Sequence, residues 1–306
     1  MKILVTGAFG YFGSALVRKL ANAYGNEVIA VGRTSPFTKL GDLPPNVKAF
    51  PATDIEDLKD WRLDVDAVIH LAGGGESGGI VSDPIRSLRR NVDTTLHVLA
   101  NVRARRRILA SSVYVYDASV DLGRPFNEDD DVNPDTLYGA HKATAELAWQ
   151  AVGGIALRFA HIYGGDGIQF GRDGVTERMA RLHGGRFTLY DGGAQKIDLL
   201  HINDACSAVA VALKVPTLPL AINIGGGAPV SLIELASHFD FKNTGVVVKG
   251  EKPKERLLDI TLARQVLGWK PTVTLRSGLE ALIESAKLAR EQLAESVRLI
   301  NEKESV

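Results

Sequence analysis

Short apolar runs alternate with helical patterns in the first half of the chain, and this alternation restricts the fold more than any other feature. The runs KILVTG, EVIAVG, VKAFPA, DAVIHLAG, RILASS and GIALRF are bounded by turn residues, and helical segments such as SALVRKLANAYG and SLRRNVDTTLHVLANV lie between most of them. Strands alternating with helices indicate βαβ units and a parallel sheet. The runs are apolar almost throughout, as expected when both faces are covered. The sequence therefore predicts an α/β fold with a doubly wound parallel sheet.

A glycine-rich turn follows the first apolar run. The segment TGAFGYFG at 6–13 spaces Gly7, Gly10 and Gly13 three residues apart between a strand and a helix. Such a turn lets the backbone approach a pyrophosphate, and the helix N-terminus offers free N–H groups and a positive dipole end to the phosphates. In this context the glycines predict a Rossmann-type dinucleotide site; the alternative is a purely structural tight turn.

The end of the second apolar run bears on the choice of cofactor. An Asp or Glu about 20 residues past the glycines would bind the ribose 2′-hydroxyl of NAD. The sequence there is VIAVGRTS, which has Arg33 and no acid, and an arginine can pair with the 2′-phosphate of NADP. We therefore expect NADP, with NAD as the alternative if Arg33 stacks on the adenine or faces solvent. Asp54 is either an acceptor for the adenine amino group or a solvated turn residue.

The pattern loosens after about residue 160. Glycine-rich connections such as YDGGAQ and GGGAP appear with shorter helices, and a helical pattern rich in Leu, Ala, Glu and Arg runs from Ser277 to about Glu302. We expect residues 1–160 to form a dinucleotide-binding domain, with a further contribution from about 195–225. Residues 161–306 would form mainly a smaller C-terminal α/β substrate-binding region and a C-terminal helix.

Composition and charge exclude several function classes. Among 306 residues, Lys+Arg and Asp+Glu both number 36, so nothing global favours a nucleic-acid or membrane partner. No apolar run approaches a membrane span and MKILVTG starts a strand at once, so we expect a soluble cytoplasmic protein, without a metal site. The basic run RARRR at 103–107 is interpreted as the C-terminal end of a helix, the alternative being a nucleic-acid patch. Cys206, the single cysteine, is expected on a buried helix face and not as a catalytic thiol.

The segment YGAHK at 138–142 places a tyrosine and a lysine four residues apart. If the segment is helical, Tyr138 and Lys142 lie on the same face. A phenol titrates at about pH 10, too high for a base at neutral pH, and a nearby ammonium lowers that pKa. The spacing is therefore typical of a proton-transfer pair, although two ordinary polar residues one turn apart remain the alternative.

Several motifs in one order give the chain a family resemblance. They are TGAFGYFG (6–13), HLAG (70–73), SSVYVYD (111–117), YGAHK (138–142), LRFAHIYGG (157–165), LLHINDA (199–205), NIGGG (223–227) and LGWKPTVTLRSGLE (267–280). Over nearly its full length the chain resembles the extended short-chain dehydrogenases/reductases, the group of sugar-nucleotide epimerases, dehydratases and ketoreductases. The resemblance implies a NAD(P)-dependent oxidoreductase. It also implies a homodimer formed through the tyrosine-bearing helix and the helix before the fifth strand.

The resemblance implies roles for individual residues. Tyr138 would exchange the proton of a substrate hydroxyl or carbonyl while a hydride moves to or from the nicotinamide. Lys142 would bind the nicotinamide ribose and lower the tyrosine pKa, and Ser112 would hydrogen-bond the reacting oxygen. Besides Tyr138 and Lys142, the expected cofactor contacts are Gly7, Phe9, Gly10, Tyr11, Phe12, Gly13, Arg33, Asp54, Ile55, Leu71, Ala72, Gly73 and His161.

The residues after Ser112 narrow the reaction that the resemblance implies. Family members that eliminate water have an Asp-Glu pair where Val113 and Tyr114 stand, and the decarboxylases have a glutamate at the place of Tyr114. The 3,5-epimerases use a cysteine near Val113. None of these is present. What remains is a ketoreductase, or an epimerase that oxidises and re-reduces one carbon; Arg33 favours the reductase because a reductase usually draws on NADPH.

The substrate side departs from the family pattern. His161 stands where an asparagine commonly contacts substrate, and it is either a substrate contact, an extra acid or a packed histidine. Ile197 stands where an arginine usually grips a nucleotide diphosphate; Lys196 or Arg256 could supply that charge, or the substrate is not a nucleotide sugar. The loop GGGESGG at 73–79 either contributes a hydroxyl-binding Glu76 or is a flexible surface loop. The expected substrate contacts are Glu76, Ser112, Val113, Tyr114, His161, Lys196 and Arg256.

These observations together predict NADP-dependent reduction of the C4 keto group of a nucleotide-linked sugar, with Tyr138 as proton donor. Three alternatives stay open: an NAD-dependent sugar-nucleotide 4-epimerase, a reductase of a non-nucleotide carbonyl compound, and a non-catalytic NADP-binding protein.

Overall fold

The computed structural model describes residues 1–23, 25–33, 43–51, 62–74, 83–165, 174–241, 243–247 and 255–304. Its strands are β1 (Lys2–Thr6), β2 (Glu27–Gly32), β3 (Val47–Pro51), β4 (Leu63–His70), β5 (Val102–Ser112), β6 (Ile155–Phe159), β7 (His161–Tyr163), β8 (Arg186–Tyr190), β9 (Lys196–Ile197), β10 (Leu199–His201), β11 (Ala221–Ile224), β12 (Val230–Ser231) and β13 (Asn243–Val247).

The α-helices of the described residues cover both halves of the chain. They are α1 (Tyr11–Ala21), α2 (Pro84–Leu88), α3 (Thr94–Asn101), α4 (Leu137–Gln150), α5 (Val175–Arg181), α6 (Ile202–Ala212), α7 (Leu232–Ser237), α8 (Thr261–Leu267) and α9 (Leu275–Glu304). A π-helical turn, Arg89–Asp93, joins α2 to α3. The helical pattern predicted from Ser277 to about Glu302 is confirmed as α9.

Seven strands form one parallel sheet in the order β11-β6-β5-β4-β1-β2-β3. The α/β fold with a doubly wound parallel sheet is therefore confirmed. The strand order changes direction between β1 and β4, and ligands of open α/β sheets bind outside the carboxyl ends of the strands at such a switch point. The glycine turn follows β1 and the HLAG segment follows β4, so the topology brings both to one crevice.

The basic run at 103–107 is not the end of a helix. α3 ends at Asn101 and β5 begins at Val102, so all of RARRR lies within a strand. The prediction was wrong because tertiary pairing overrides the local charge pattern: Val102–Ala104 pair in parallel with Leu63–Val65 of β4. Val102 and Ile108 are buried while Arg103 and Arg105 stay exposed, so the strand keeps its long cations at the surface.

The core of the described residues has three parts, one of which covers the second face of the sheet with Leu4, Leu109 and Trp149. The largest one packs α1, α6 and α8 against the sheet and includes Cys206, as the sequence predicts; burial raises the pKa of this thiol to about 12. Another lies in the C-terminal half, where Met179, Leu189, Leu235 and Leu282 pack together.

Two of the C-terminal motifs are joined by side-chain hydrogen bonds. The Asp204 carboxylate in α6 accepts bonds from Thr272 Oγ1 at 2.8 Å and from the Val273 N–H at 2.9 Å. The indole Nε1 of Trp269 donates to Ser207 Oγ at 2.7 Å. These bonds connect the motif at 199–205 and the start of α6 to the motif at 267–280. They fix the segment after α8 against the sheet-bearing half.

Within the described residues, no helix is long and apolar enough to cross a membrane. The same residues contain no group of three or more His, Cys, Asp or Glu side chains that could hold a metal ion.

Candidate active site

The glycine turn is packed too closely to accept side chains at two of its three glycines. Gly7 has φ 67°, and a Cβ there would lie 2.8 Å from the backbone nitrogen of Ala72. A Cβ on Gly13 would collide with the Gly7 carbonyl oxygen. The segment after β4 is fixed beside this turn, because the Leu71 N–H donates to Thr6 O at 3.2 Å. Gly7, Leu71 and Ala72, which were predicted from different motifs, therefore lie together on one side of the candidate cofactor site.

The first helix begins within this turn. α1 starts at Tyr11 after an exposed Gly10, which provides no side-chain cap, and the first N–H groups of a helix have no intrahelical acceptor. The Tyr11 hydroxyl donates to Gly164 O at 2.8 Å, and the Phe12 ring lies edge-on to Phe159 at 5.2 Å. A close-packed glycine turn below an uncapped helix start fits the pyrophosphate of a dinucleotide.

The carboxyl end of β2 also lies against this turn. A Cβ on Gly32 would come within 3.0 Å of the Phe9 ring, which is itself buried in the core. Arg33 follows directly and is exposed. The position therefore suits the ribose end of the cofactor, and the preference for NADP stays a prediction. Three of the predicted contacts, Asp54, Ile55 and Glu76, lie outside the described residues.

Tyr138 and Lys142 are on one helix, α4, as the spacing predicts. The Thr136 hydroxyl caps its start by accepting a bond from the Gly139 N–H at 3.1 Å. A Cβ on Gly139 would collide with the Tyr114 carbonyl oxygen, so the glycine of YGAHK lets the helix approach the segment after β5. The helix therefore presents the tyrosine and the lysine to the end of β5.

The Lys142 ammonium is buried at the end of β5. Its Nζ donates to Ala110 O at 2.9 Å, and only 4% of the residue is exposed. Burial lowers the pKa of Lys142 to about 8, against the carboxylate of Glu146, which raises it. The neighbouring His70 is fully buried, and burial, with a smaller contribution from the Lys142 charge, lowers its pKa to about 3. At neutral pH the lysine therefore faces a neutral imidazole.

Ser112 ends β5 beside the tyrosine helix. Its hydroxyl accepts a bond from the Tyr114 N–H at 3.3 Å and starts the 3-10 turn Val113–Val115. The Tyr114 ring lies edge-on to the ring of Tyr138 and to that of His161, with centroids 5.8 Å apart in both pairs. The structure thus brings Ser112, Tyr138 and His161 around Tyr114. The side chain of Val113 instead packs in the core.

One of the two candidate cations on the substrate side reaches this cluster. The Arg256 guanidinium lies 4.6 Å from the centroid of the Tyr114 ring, donates through Nε to Tyr116 O at 3.1 Å and forms an ion pair with Asp135. Lys196 is exposed on β9, and its backbone N–H donates to Glu255 Oε1 at 2.7 Å. Burial raises the pKa of Tyr114, and the Arg256 charge opposes this, so the residue is a neutral phenol at neutral pH.

Several groups of this site do not follow from the motifs. Asp135 precedes the tyrosine helix and becomes part of the site only through its ion pair with Arg256. Glu146 pairs with Arg158 of β6, a contact that needs the helix to pack on the sheet. The signal for Glu146 is its spacing: Tyr138, Lys142 and Glu146 recur every four residues on one helix face.

Comparison with known proteins gives one consistent family. The sequence model of the NAD-dependent epimerase/dehydratase family matches residues 3–225. UDP-glucuronic acid decarboxylase 5 of Arabidopsis thaliana is 28% identical over 310 residues, which cover 94% of this chain and 90% of that protein. UDP-glucose 4-epimerase of Lactobacillus helveticus is 28% identical over 313 residues, covering 89% of this chain and 92% of that protein.

Solved structures agree with this. A UDP-glucuronic acid 4-epimerase from Bacillus cereus, in complex with UDP-glucuronic acid and NAD, superposes with a TM-score of 0.77 at 26% identity, covering 94% of this chain and all of that one. The UDP-glucose 4-epimerase of Thermotoga maritima with UDP-glucose has a TM-score of 0.79 at 26% identity, covering 96% of this chain and 100% of that one.

Proposed function

The chain belongs to the NAD-dependent epimerase/dehydratase family, and from this premise we propose that it inverts the C4 centre of a UDP-linked sugar, UDP-glucuronic acid first among the substrates to test. The names of the relatives given above state UDP-glucuronic acid or UDP-glucose as the substrate, and the solved UDP-glucuronic acid 4-epimerase is in complex with NAD. We therefore prefer an epimerase to the ketoreductase, which the sequence favoured because Arg33 suggested NADP.

The observation that carries the proposal is the chemistry next to Ser112. Elimination of water would need an acid and a base at 113 and 114, yet Val113 packs in the core and Tyr114 is a neutral phenol against the Tyr138 ring. Ser112 and Tyr138 contact Tyr114, and Lys142 lies one helical turn beyond Tyr138. This arrangement supports oxidation and reduction at one carbon, without elimination.

The proposed roles of the chain's own residues follow from their places. Tyr138 takes the proton of the C4 hydroxyl and returns it to the same oxygen after the sugar has presented its other face. Ser112 holds that oxygen by a hydrogen bond, and the buried Lys142 ammonium stabilises the phenolate and holds the nicotinamide ribose. Bound NAD supplies the acceptor, and afterwards the donor, of the C4 hydride.

Arg256 is the proposed contact of the nucleotide diphosphate. It lies at the Tyr114 cluster, whereas Ile197 offers no charge and Lys196 is exposed on β9. A guanidinium can bind two phosphate oxygens at once. Its present partner, Asp135, keeps this cation compensated and oriented beside the site.

The test is to incubate the purified protein with NAD and UDP-glucuronic acid, or UDP-glucose, without any reductant, and to identify products by NMR. We expect the C4 epimer, and no product from the folded Tyr138→Phe variant. A UDP-pentose with release of carbon dioxide would instead identify a decarboxylase, despite Tyr114. No conversion of either sugar would refute the proposal for these substrates.

A second candidate is an NADPH-dependent reductase of a keto sugar, favoured by one observation. Arg33 is exposed at the carboxyl end of β2, at a position where an acid would select NAD. A reductase would consume NADPH with a 4-keto nucleotide sugar and leave alcohols untouched when only NAD is present.

A homodimer is the proposed assembly. Leu147 on α4 is 71% exposed and Leu96 on α3 is 49% exposed, and these two helices pack together. Pairing of these helices with those of a second copy would cover both.

A further inference from the structure

A chain of buried polar groups lies directly behind the candidate active site, and no step of the proposed reaction uses it. Glu146 of α4 is 2% exposed and Arg158 of β6 is 4% exposed. Arg158 donates through Nη2 to Glu146 Oε2 at 2.8 Å and through Nε to Oε1 at 3.1 Å. Ser111 donates its hydroxyl to the same carboxylate. Both charges are therefore removed from water and compensated by each other.

This ion pair is connected to all three members of the trio Ser112, Tyr138 and Lys142. Glu146 lies one helical turn beyond Lys142 and two beyond Tyr138 on α4. Ser111, which bonds to Glu146, immediately precedes Ser112 on β5, and Lys142 donates to the carbonyl of Ala110 on the same strand. A shift of the Glu146 carboxylate would therefore move both the helix face and the strand end that carry the trio.

At its other end, this series of buried polar groups reaches the substrate side of the site. Arg158 Nη1 donates to the Tyr116 hydroxyl at 2.8 Å, and that hydroxyl lies 2.9 Å from Asn223 Oδ1. The Tyr116 carbonyl accepts the Nε bond of Arg256. Since Tyr116 follows Tyr114 by two residues, the buried arginine fixes the segment between Ser112 and the Arg256 contact.

We propose that the Glu146–Arg158 ion pair is a positioning element of the active site, which holds the Lys142 ammonium and the 112–116 segment in the geometry for proton transfer at Tyr138. The proposal rests on the proposed function in one respect, that Tyr138 is the group that transfers the proton. A buried ion pair contributes little net stability, since desolvation offsets most of its attraction. Stability alone therefore gives a weak reason for two charges at this place.

The sign of the effect follows from the groups around Lys142. Lys142 lies near Glu146 and follows Tyr138 on its own helix, its charge acts on His70 of β4, and its Nζ donates to Ala110 O of β5. Arg158 of β6 contacts Glu146 and the Tyr116 hydroxyl. His70 is neutral at neutral pH, and Glu146 is the member that raises the pKa of Lys142 against burial. Without the Glu146 charge the ammonium loses its proton at lower pH, and the phenol of Tyr138 becomes harder to ionise.

The main test variant replaces the pair by apolar residues, Glu146→Met with Arg158→Leu, because such a replacement is often neutral for stability. Glu146→Gln removes the charge alone, and Glu146→Asp is the conservative variant that keeps it. Glu27→Gln, which breaks the exposed ion pair with Lys48 at the far side of the sheet, is the matched control. Thermal unfolding reports whether each variant folds.

The decisive readout is the ionisation of Tyr138, measured without substrate from phenolate absorbance. Subtracting the titration curve of the same variant carrying Tyr138→Phe leaves the signal of Tyr138 alone. Burial raises the pKa of Tyr116 and of Tyr163 to about 12, so these two phenols ionise at higher pH. We expect the Tyr138 midpoint to rise by ~1 pH unit in the double variant, where the net charge is unchanged and the shift comes from the Lys142 ammonium no longer being held beside the phenol. Glu146→Gln should shift the midpoint in the same direction. At neutral pH this lowers kcat ~10-fold, with KM changed less and the acidic limb of the kcat profile shifted by the same amount. Glu146→Asp should recover part of both.

A folded double variant with an unchanged Tyr138 midpoint and pH profile would show that the pair is merely structural and would overturn the proposal. If the double variant does not fold, the midpoint of Glu146→Gln decides in the same way. A protein that shows the shift in midpoint but no epimerisation would refute the proposed function and leave the positioning role standing.

Discussion

His70 is expected to weaken the fold in acid, and its surroundings give the size of the effect. The imidazole is fully buried, with Nδ1 2.7 Å from Thr6 Oγ1, Nε2 3.0 Å from Thr95 Oγ1 and its ring stacked on Trp149. The Thr95 hydroxyl donates to Asn91 O at 2.7 Å, so it accepts from Nε2–H, and Nδ1 accepts from Thr6. This arrangement specifies the neutral ring.

The sign and the magnitude follow from linkage. Burial lowers the pKa of His70 from 6.5 to about 3, so between these values the unfolded chain binds the proton and the folded protein does not. The contribution of His70 is therefore complete above pH 6.5 and is lost as the pH falls towards 3. At about 1.4 kcal/mol per pH unit, acidification from pH 7 to pH 4 removes ~3 kcal/mol.

The assay compares urea unfolding of the wild type and His70→Gln at pH 7 and pH 4. Glutamine keeps a donor and an acceptor but does not titrate, so the difference between the two proteins isolates His70. The wild type alone is not sufficient, because burial raises the pKa of Asp198 to about 6 and this carboxyl favours the fold as the pH falls. We expect the advantage of the wild type to shrink by ~3 kcal/mol. An advantage that is the same at both pH values would refute this explanation.

Three further substitutions test other parts of the account. Tyr138→Phe should lower turnover at least ~100-fold while dinucleotide affinity, measured by calorimetry, changes little; near-normal turnover would contradict its role. Gly13→Ala places a Cβ against the Gly7 carbonyl and should weaken dinucleotide binding ~10-fold or more, whereas unchanged calorimetric affinity would place the cofactor elsewhere. Leu147→Glu should convert a dimer to monomers in sedimentation without loss of the fold, and a persistent dimer would exclude the α3–α4 interface.

The fold could be predicted because its signals are local. The strands β1, β2 and β6 are buried along almost their whole length and are therefore apolar in sequence. Glycine is required at 13 by a backbone contact within its own turn, and at 7 by a positive φ. The prediction that a helix ends in RARRR was wrong for the opposite reason. The partner of Val102–Ala104 is a strand far away in sequence, which no local charge pattern reveals.

The same difference between local and long-range signals decides which parts of the candidate site could be predicted. The positions of Tyr138 and Lys142 follow from helical spacing alone. The choice between Lys196 and Arg256 did not, because it depends on the long-range contact of the Arg256 guanidinium with the Tyr114 ring. The pairing of Glu146 with Arg158 likewise needs α4 packed on β6, and charged residues twelve positions apart carry no sequence signal of contact.

The proposed epimerase keeps NAD bound through the whole reaction, so the dinucleotide that the purified protein carries is the property to measure. Freshly purified protein would be denatured and the released dinucleotide identified, and the emptied protein titrated with NAD and NADPH. We expect close to one NAD per chain, retained tightly enough for epimerisation without added cofactor. An empty protein that binds NADPH much more tightly than NAD would contradict this expectation and assign Arg33 to a 2′-phosphate.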